Sequence, residues 1–286
     1  MTDINNDLVN RVRKVWRNRI DDDRYGDPID EAQNIKYIHV GYHRCGAAFF
    51  QKELFPKYPE CNYIFSDDAI CGGLFDNGYN TIDTVKMNHP DAHIILVIRN
   101  QKSIINSSYR NFIKTGGTWK FPRFAKEIMN HNKYDYFTTV SRYFELFGKD
   151  KCLVLVYEEL IKDPDSYIEK VVSFISDAKI KKHDLTPVRP GPSIYYNAAI
   201  RWINILIEFI KARVKNEDKK FLISKARSSL LAIGATIDNK LIKPITGNGG
   251  KQFGYKNCAD IIDRYYDKNN RKLEKSINVN LNHYGY

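Results

Sequence analysis

Five consecutive apolar residues, Ile94 to Ile98 in the run HIILVIR, limit the possible folds of this chain more than any other feature. A strand with one wet face alternates polar and apolar residues. A strand without that alternation is buried on both faces, which in practice means a parallel sheet covered by helices. The run CLVLVY at 152–157 repeats the signature. Around these two runs the pattern alternates in the same way: IKYIHV, AAFFQKELF, NYIF, TIDTVKMNH, HIILVIR, then a helix from Gln101 to Lys114, and after CLVLVY the helical DSYIEKVVSFI. The expected fold class is α/β, a central parallel sheet flanked by helices. Ligands of such folds collect beyond the carboxyl ends of the strands, where Gly41–Gly46, Arg99 and Tyr157–Glu159 all fall.

The rest of the chain is organised around that core. Residues 1–33 are polar and charged and read as an arm, 34–190 as the α/β core, and 191–286 as a mostly helical region, all within one domain. Residues 195–233 carry apolar residues at helical spacing in two helices, and NCADIIDRYYDKNNRKLEKS reads as a final amphipathic helix. With 45 Lys+Arg against 34 Asp+Glu the net charge is +11, which favours an anionic ligand, an acidic glycan, nucleic acid or an anionic membrane surface. The cations are spread along the chain and match no nucleic-acid motif, so nucleic acid is not expected as a partner. Five cysteines without CxxC spacing and an amino terminus without an apolar signal core point to a cytoplasmic protein. WINILIEFI is interrupted by Asn204 and Glu208 and is too short to span a bilayer. The run RWINILIEFI, with basic residues following at 211–220, is a candidate for peripheral membrane contact; packing on the domain is the plainer reading and the one adopted.

The segment GYHRCGAAFF at 41–50 lies between the first strand and a helix, with glycines bounding the turn. It has the glycine spacing of a nucleotide P-loop, but Ala47 and Ala48 stand where that loop has Lys and Ser or Thr, so nucleotide-triphosphate chemistry with magnesium is not expected. What remains is a cradle of helix-initial amides for an oxyanion, with Arg44 as a fixed charge. An ordinary strand-to-helix turn is the structural alternative. A second segment, IILVIRNQKSIINSSYRNFIKTGG, places Ser107 eight residues after Arg99 at a strand end, and a third reads VYEELIKDP.

In these three segments the chain resembles the sulfotransferases that use 3′-phosphoadenosine 5′-phosphosulfate (PAPS). HRCGAA aligns with that family's P-K-x-G-T-T turn, RNQKSIINSSY with its 3′-phosphate segment, and VYEELIKDP with Y-E-D-L-x-x-D-P, in the right order over 35 to about 175. The ending LNHYGY is similar to bacterial members. The resemblance implies a P-loop-like sulfotransferase fold in which the 5′-phosphosulfate is held by Tyr42, His43, Arg44, Cys45, Gly46, Ala47 and Ala48. It implies Arg99 and Ser107 on the 3′-phosphate, and no metal. Arg44 replaces the family's usual lysine and keeps its charge; Ala47 and Ala48 replace two threonines.

The shared chemistry makes the nucleotide the donor and a hydroxyl the acceptor, here that of a carbohydrate or glycolipid, with Arg44 neutralising the leaving group. A base must take the acceptor proton. Asp68 in YIFSDDAICGG is the first candidate, because Ser66–Asp68 resembles a bacterial Ser-x-Glu element, and His43 is the second. Lys251, in the glycine-rich TGNGGKQFG, is a candidate lid residue over the 3′-phosphate. Glu158 reads as structural and His39 as a packed core histidine. The alternatives are a nucleotide phosphotransferase, or a non-catalytic nucleotide- or nucleic-acid-binding protein with a degenerate P-loop.

Overall fold

Four parallel strands form one sheet in the order β2-β1-β3-β4: β1 Tyr37–Gly41, β2 Ile64–Asp67, β3 His93–Ile98 and β4 Cys152–Val156. The computed structural model describes residues 35–58, 64–67, 70–71, 74–75, 78–175, 192–246 and 254–286. The central strand β3 is buried from Ile94 to Ile98, which is why its sequence shows no alternation. At about 1.5–3 kcal/mol per fully buried aliphatic side chain, this strand is a large part of what holds the sheet in place. The sheet is covered by helices: α1 Ala47–Phe49, α2 Tyr79–Asn88, α3 Gln101–Lys114, α4 Phe121–Asn130, α5 Tyr136–Phe147, α6 Tyr157–Lys162 and α7 Pro164–Ile175. α1 runs on as a wider π turn, Phe50–Leu54, and a tight 3-10 turn, Phe55–Lys57.

Register fixes where the active edge lies. Gly41 pairs with Val97, Val40 with Asp67, and Ile98 with Val156, so β1, β2, β3 and β4 all end at the same side. The turn after β1, Arg99 after β3 and α6 directly after β4 therefore leave the sheet side by side, as the strand pattern predicts.

From Ile194 onward every described element is helical: α8 Ile194–Lys211, α9 Glu217–Ile237, α10 Lys243–Thr246 and α11 Tyr255–Ile277. α11 packs on α4 and α5 through Tyr255, Cys258, Ile262, Tyr266 and Leu273. α8 buries Asn197, Ile200, Asn204 and Ile207, and Asn204 Nδ2 donates to the carbonyls of Ile113 and Gly117 at 2.8 Å, closing the open end of α3. The expectation that RWINILIEFI packs on the domain holds for that inward face alone. Trp202, Leu206 and Phe209 point outward and are more than half exposed, because the side of the helix that fits the end of α3 is the one bearing the two asparagines.

Candidate active site

After β1 the chain turns sharply. Cys45 N–H donates to the Tyr42 carbonyl at 3.0 Å, and two of the next residues are left-handed: Arg44 at φ 76° and Gly46 at φ 87°. For a residue with a Cβ this conformation costs about 1–2 kcal/mol. The fold therefore sustains strain at Arg44, in the middle of the turn. Gly46 caps α1 without a side-chain bond, so the amides of Gly46, Ala47 and Ala48 have no acceptor inside the helix.

Gly46 is required for a second reason: the ring of Tyr157, the first residue of α6, fills the space a side chain would take. A Cβ built on Gly46 meets Tyr157 Cε2 at 3.0 Å. The other partner of that ring is the guanidinium of Arg99, 4.5 Å from its centroid. Gly46→Ala is expected to cost about 2 kcal/mol, from left-handed strain and displacement of the Tyr157 ring. Urea unfolding checks this; an unchanged midpoint would show that the turn tolerates a side chain and that the ring is free to move.

Arg99 and Arg44 are tied to each other and to Ser107. Arg99 Nη1 donates to the Arg44 carbonyl at 2.7 Å, and Arg44 Nε donates to Ser107 Oγ at 3.0 Å. The turn after β1, the end of β3 and the first half of α3 thus meet at one point. Arg110, three residues after Ser107 on α3, adds a third guanidinium. Its pKa is lowered, first by burial and then by the positive charges of Arg99 and Arg44. Three mutually repelling cations beside free amides and a hydroxyl are the donor set of an anion site, and a phosphate or sulfate ester fits it.

Aromatic rings fix this cluster from below. Tyr42 is fully buried and its hydroxyl donates to Thr139 Oγ1 at 2.9 Å; the rings of Tyr134 and Tyr136 lie against it at 5.6 and 5.1 Å. The Tyr136 hydroxyl donates to the Arg99 carbonyl at 2.7 Å, and Tyr134 shares a 2.9 Å bond with Ser108 Oγ. Burial raises the pKa of the Tyr134 and Tyr136 phenols far above the ordinary value and so keeps both neutral. Asn100 caps α3 by accepting from Ser103 N–H at 3.1 Å, and its own N–H donates to Glu158 Oε1 at 3.1 Å. Burial pushes the Glu158 carboxyl up, an effect opposed by the Asn100 N–H, the Arg99 charge and the Tyr286 hydroxyl. The carboxyl-terminal residues close over this corner: Asn100 Nδ2 donates to the Gly285 carbonyl, Lys162 Nζ to the His283 carbonyl at 2.7 Å, and the Tyr286 hydroxyl to Glu158 Oε2 at 3.4 Å.

The residues singled out from the sequence are therefore placed unequally. His43, Arg44 and Ala48 are exposed at the turn, and Arg99 and Ser107 lie beside them. Tyr42 and Cys45 turn their side chains into the core, so any contact they make with a ligand is through the backbone. Ala47 is buried, and a hydroxyl in place of its methyl would press on the core, whereas position 48 is open. Asp68 and Lys251 lie outside the described residues. Ser66, on the strand that leads to Asp68, is held by His39 Nδ1 at 2.8 Å and by Gln51 Nε2 at 3.0 Å, and the His39 ring stacks in the core against Phe50. Glu158 supports Asn100 and the chain end as well as its own helix. Arg110 was not found by sequence reasoning; its signal was the three-residue spacing from Ser107, which puts both on one face of α3.

Two open clefts lie apart from this cluster, one after the other along the same face of α8. One, of about 490 Å³, is lined by Trp119, Lys120, Arg123 and Ile205; the other, of about 400 Å³, by Tyr109, Phe121, Arg201 and Trp202. None of Arg44, Arg99 and Arg110 lines either. Among the described residues no three His, Cys, Asp or Glu side chains gather as metal ligands.

Comparison with known proteins bears on this arrangement. A family described as "Sulfotransferase family" matches residues 13–176. Among solved structures, a sulfotransferase from Alicyclobacillus acidocaldarius is 14% identical, with a TM-score of 0.43 over 73% of this chain and 97% of that one. Mouse sulfotransferase SULT7A1, complexed with PAP, is 16% identical, with a TM-score of 0.39 over 52% of this chain and 61% of that one. No curated protein matches the chain.

Proposed function

We infer that the chain, which belongs to the sulfotransferase family, moves a sulfuryl group from PAPS to a hydroxyl, that of a carbohydrate or glycolipid. The observation that carries the donor assignment is the meeting of Arg44, Arg99 and Ser107 at the strand ends, with Arg110 close enough for its charge to be felt. The donor, when bound, supplies an activated sulfuryl group on a phosphate leaving group. The residues of this chain do the rest. Arg99, Ser107 and Arg110 hold the 3′-phosphate; Arg44 and the amides of Gly46, Ala47 and Ala48 hold the 5′ side and neutralise the charge that grows on the leaving oxygen.

The acceptor hydroxyl must lose its proton as its oxygen bonds to sulfur and the sulfur–phosphate oxygen bond breaks. Asp68, with His43 second, is assigned that proton, because β2 ends beside β1 at the edge from which the turn departs. The acceptor class is supported by aromatic faces and cations lining the clefts beside α8, a combination suited to sugar rings carrying acidic groups. A cytoplasmic setting is supported by Cys45, Cys71, Cys152 and Cys258, all unbridged. No helix among the described residues is long and apolar enough to cross a membrane.

Adenosine 3′,5′-bisphosphate is expected to bind equally well with magnesium or with a chelator. At about a hundred times its dissociation constant it should raise the melting temperature by roughly 5 °C, the shift set by about 2.7 kcal/mol of linkage. Calorimetry and thermal melts test this, and absence of binding at millimolar ligand to the folded protein would overturn the donor assignment.

A further inference from the structure

α9 is 21 residues long and none of them is buried. Its inward side is joined to the rest of the fold by polar bonds: Arg227 Nε to Asn204 Oδ1 at 2.8 Å, Arg227 Nη2 to the Lys114 carbonyl at 2.8 Å, and Tyr196 hydroxyl to the Leu231 carbonyl at 2.8 Å. Its apolar side points away from the protein. Leu222, Ala226, Leu230, Ile233, Ile237 and, just beyond the helix, Leu241 follow one another at steps of three or four, which makes a single stripe. The five large members are between 45% and 62% exposed. On α8, Trp202, Leu206 and Phe209 make a second outward stripe. Exposed apolar surface of this extent marks a docking site.

The charge around the stripes selects the occupant. Between Lys211 and Thr246 there are nine Lys or Arg against three Asp or Glu. One of the three acids, Asp238, is buried, where it accepts from Ser193 N–H at 3.0 Å, with Lys243 Nζ 3.9 Å away. A second copy of the chain would bring the same excess of positive charge against this face. A bilayer with anionic headgroups matches both features, taking the aliphatic and aromatic stripes into its interfacial layer and the lysines onto its phosphates. Trp202 and Tyr195 on α8, both exposed, are residues that favour that layer.

We propose that the α8–α9 hairpin is a docking face for an anionic membrane surface, on which the protein lies peripherally. The test needs no nucleotide, so it succeeds or fails independently of the sulfuryl-transfer reading. The full chain is floated with vesicles of phosphatidylcholine containing roughly 30% phosphatidylserine and with vesicles of phosphatidylcholine alone. Partition is expected with the anionic vesicles and to be at least about tenfold weaker without phosphatidylserine. Leu230→Glu with Ile233→Glu should lower it at least about tenfold. So should Lys219→Glu with Lys225→Glu, a pair that leaves the apolar stripe in place; all four side chains are exposed, and circular dichroism checks the fold. The proposal is overturned if the folded wild type does not float with anionic vesicles, or if neither pair of substitutions changes its flotation. It is also overturned if sedimentation shows a dimer that Leu230→Glu with Ile233→Glu dissolves, since the face then belongs to a second copy.

Discussion

Arg99→Ala is expected to weaken binding of adenosine 3′,5′-bisphosphate by about a hundredfold or more, and binding of adenosine 5′-phosphate by much less. A guanidinium on a phosphate makes charge-assisted bonds, each worth roughly 1.5–3 kcal/mol, and about 1.4 kcal/mol is tenfold in affinity. The loss for the 5′-monophosphate is not zero, because Arg99 Nη1 also holds the Arg44 carbonyl at 2.7 Å and so helps to shape the turn. Isothermal calorimetry with both nucleotides reads the difference. Equal losses would mean that Arg99 acts only through the turn and that the 3′-phosphate is held elsewhere. The melting temperature of the unliganded variant separates this from unfolding: the Tyr157 ring loses its cation, but the buried strand β3 ends at Ile98 and is untouched.

The behaviour of Arg99 illustrates what could be read from the chain. Its place follows from Ile94–Ile98, because an uninterrupted apolar run has to be a central parallel strand, and such a strand ends at the ligand edge. The same logic located the turn after β1 and the start of α6, and the glycines at 41 and 46 marked the bounds of that turn. What stayed hidden depends on side-chain direction and on contacts distant in sequence. Tyr42 sits inside the turn by sequence, yet its ring forms the floor with Tyr134 and Tyr136, more than ninety residues on. The helices Phe121–Asn130 and Tyr136–Phe147 went unread, because Pro122 at the head of the first reads as a breaker and the tyrosines and phenylalanines of the second suit strands as readily as helices. Likewise nothing local says that Asn204 is an inward residue of α8; that follows from the unpaired carbonyls at the end of α3.

Arg44→Gly tests the turn itself. The left-handed φ of 76° costs arginine about 1–2 kcal/mol that glycine does not pay, against roughly 0.5–1 kcal/mol of extra chain entropy for glycine in the unfolded state. The two nearly cancel, so the unliganded variant should melt within a few degrees of the wild type. Alanine at this position would keep the strain and confuse the outcome. Affinity is a separate matter. Arg44 Nε lies 3.0 Å from Ser107 Oγ, so the side chain spans from the 5′ side of the proposed nucleotide site to its 3′ side, and its removal should weaken both adenosine 3′,5′-bisphosphate and adenosine 5′-phosphate. A loss of roughly 2–3 kcal/mol, about thirty- to 150-fold, is expected for each. With PAPS and a sugar acceptor, turnover should fall further still, because charge on the leaving oxygen is greatest in the transition state and this is the cation nearest the turn's amides. Unchanged affinity for both nucleotides in a folded Arg44→Gly protein would reduce the strained turn to a strand-to-helix connection and leave the anion to Arg99, Ser107 and Arg110.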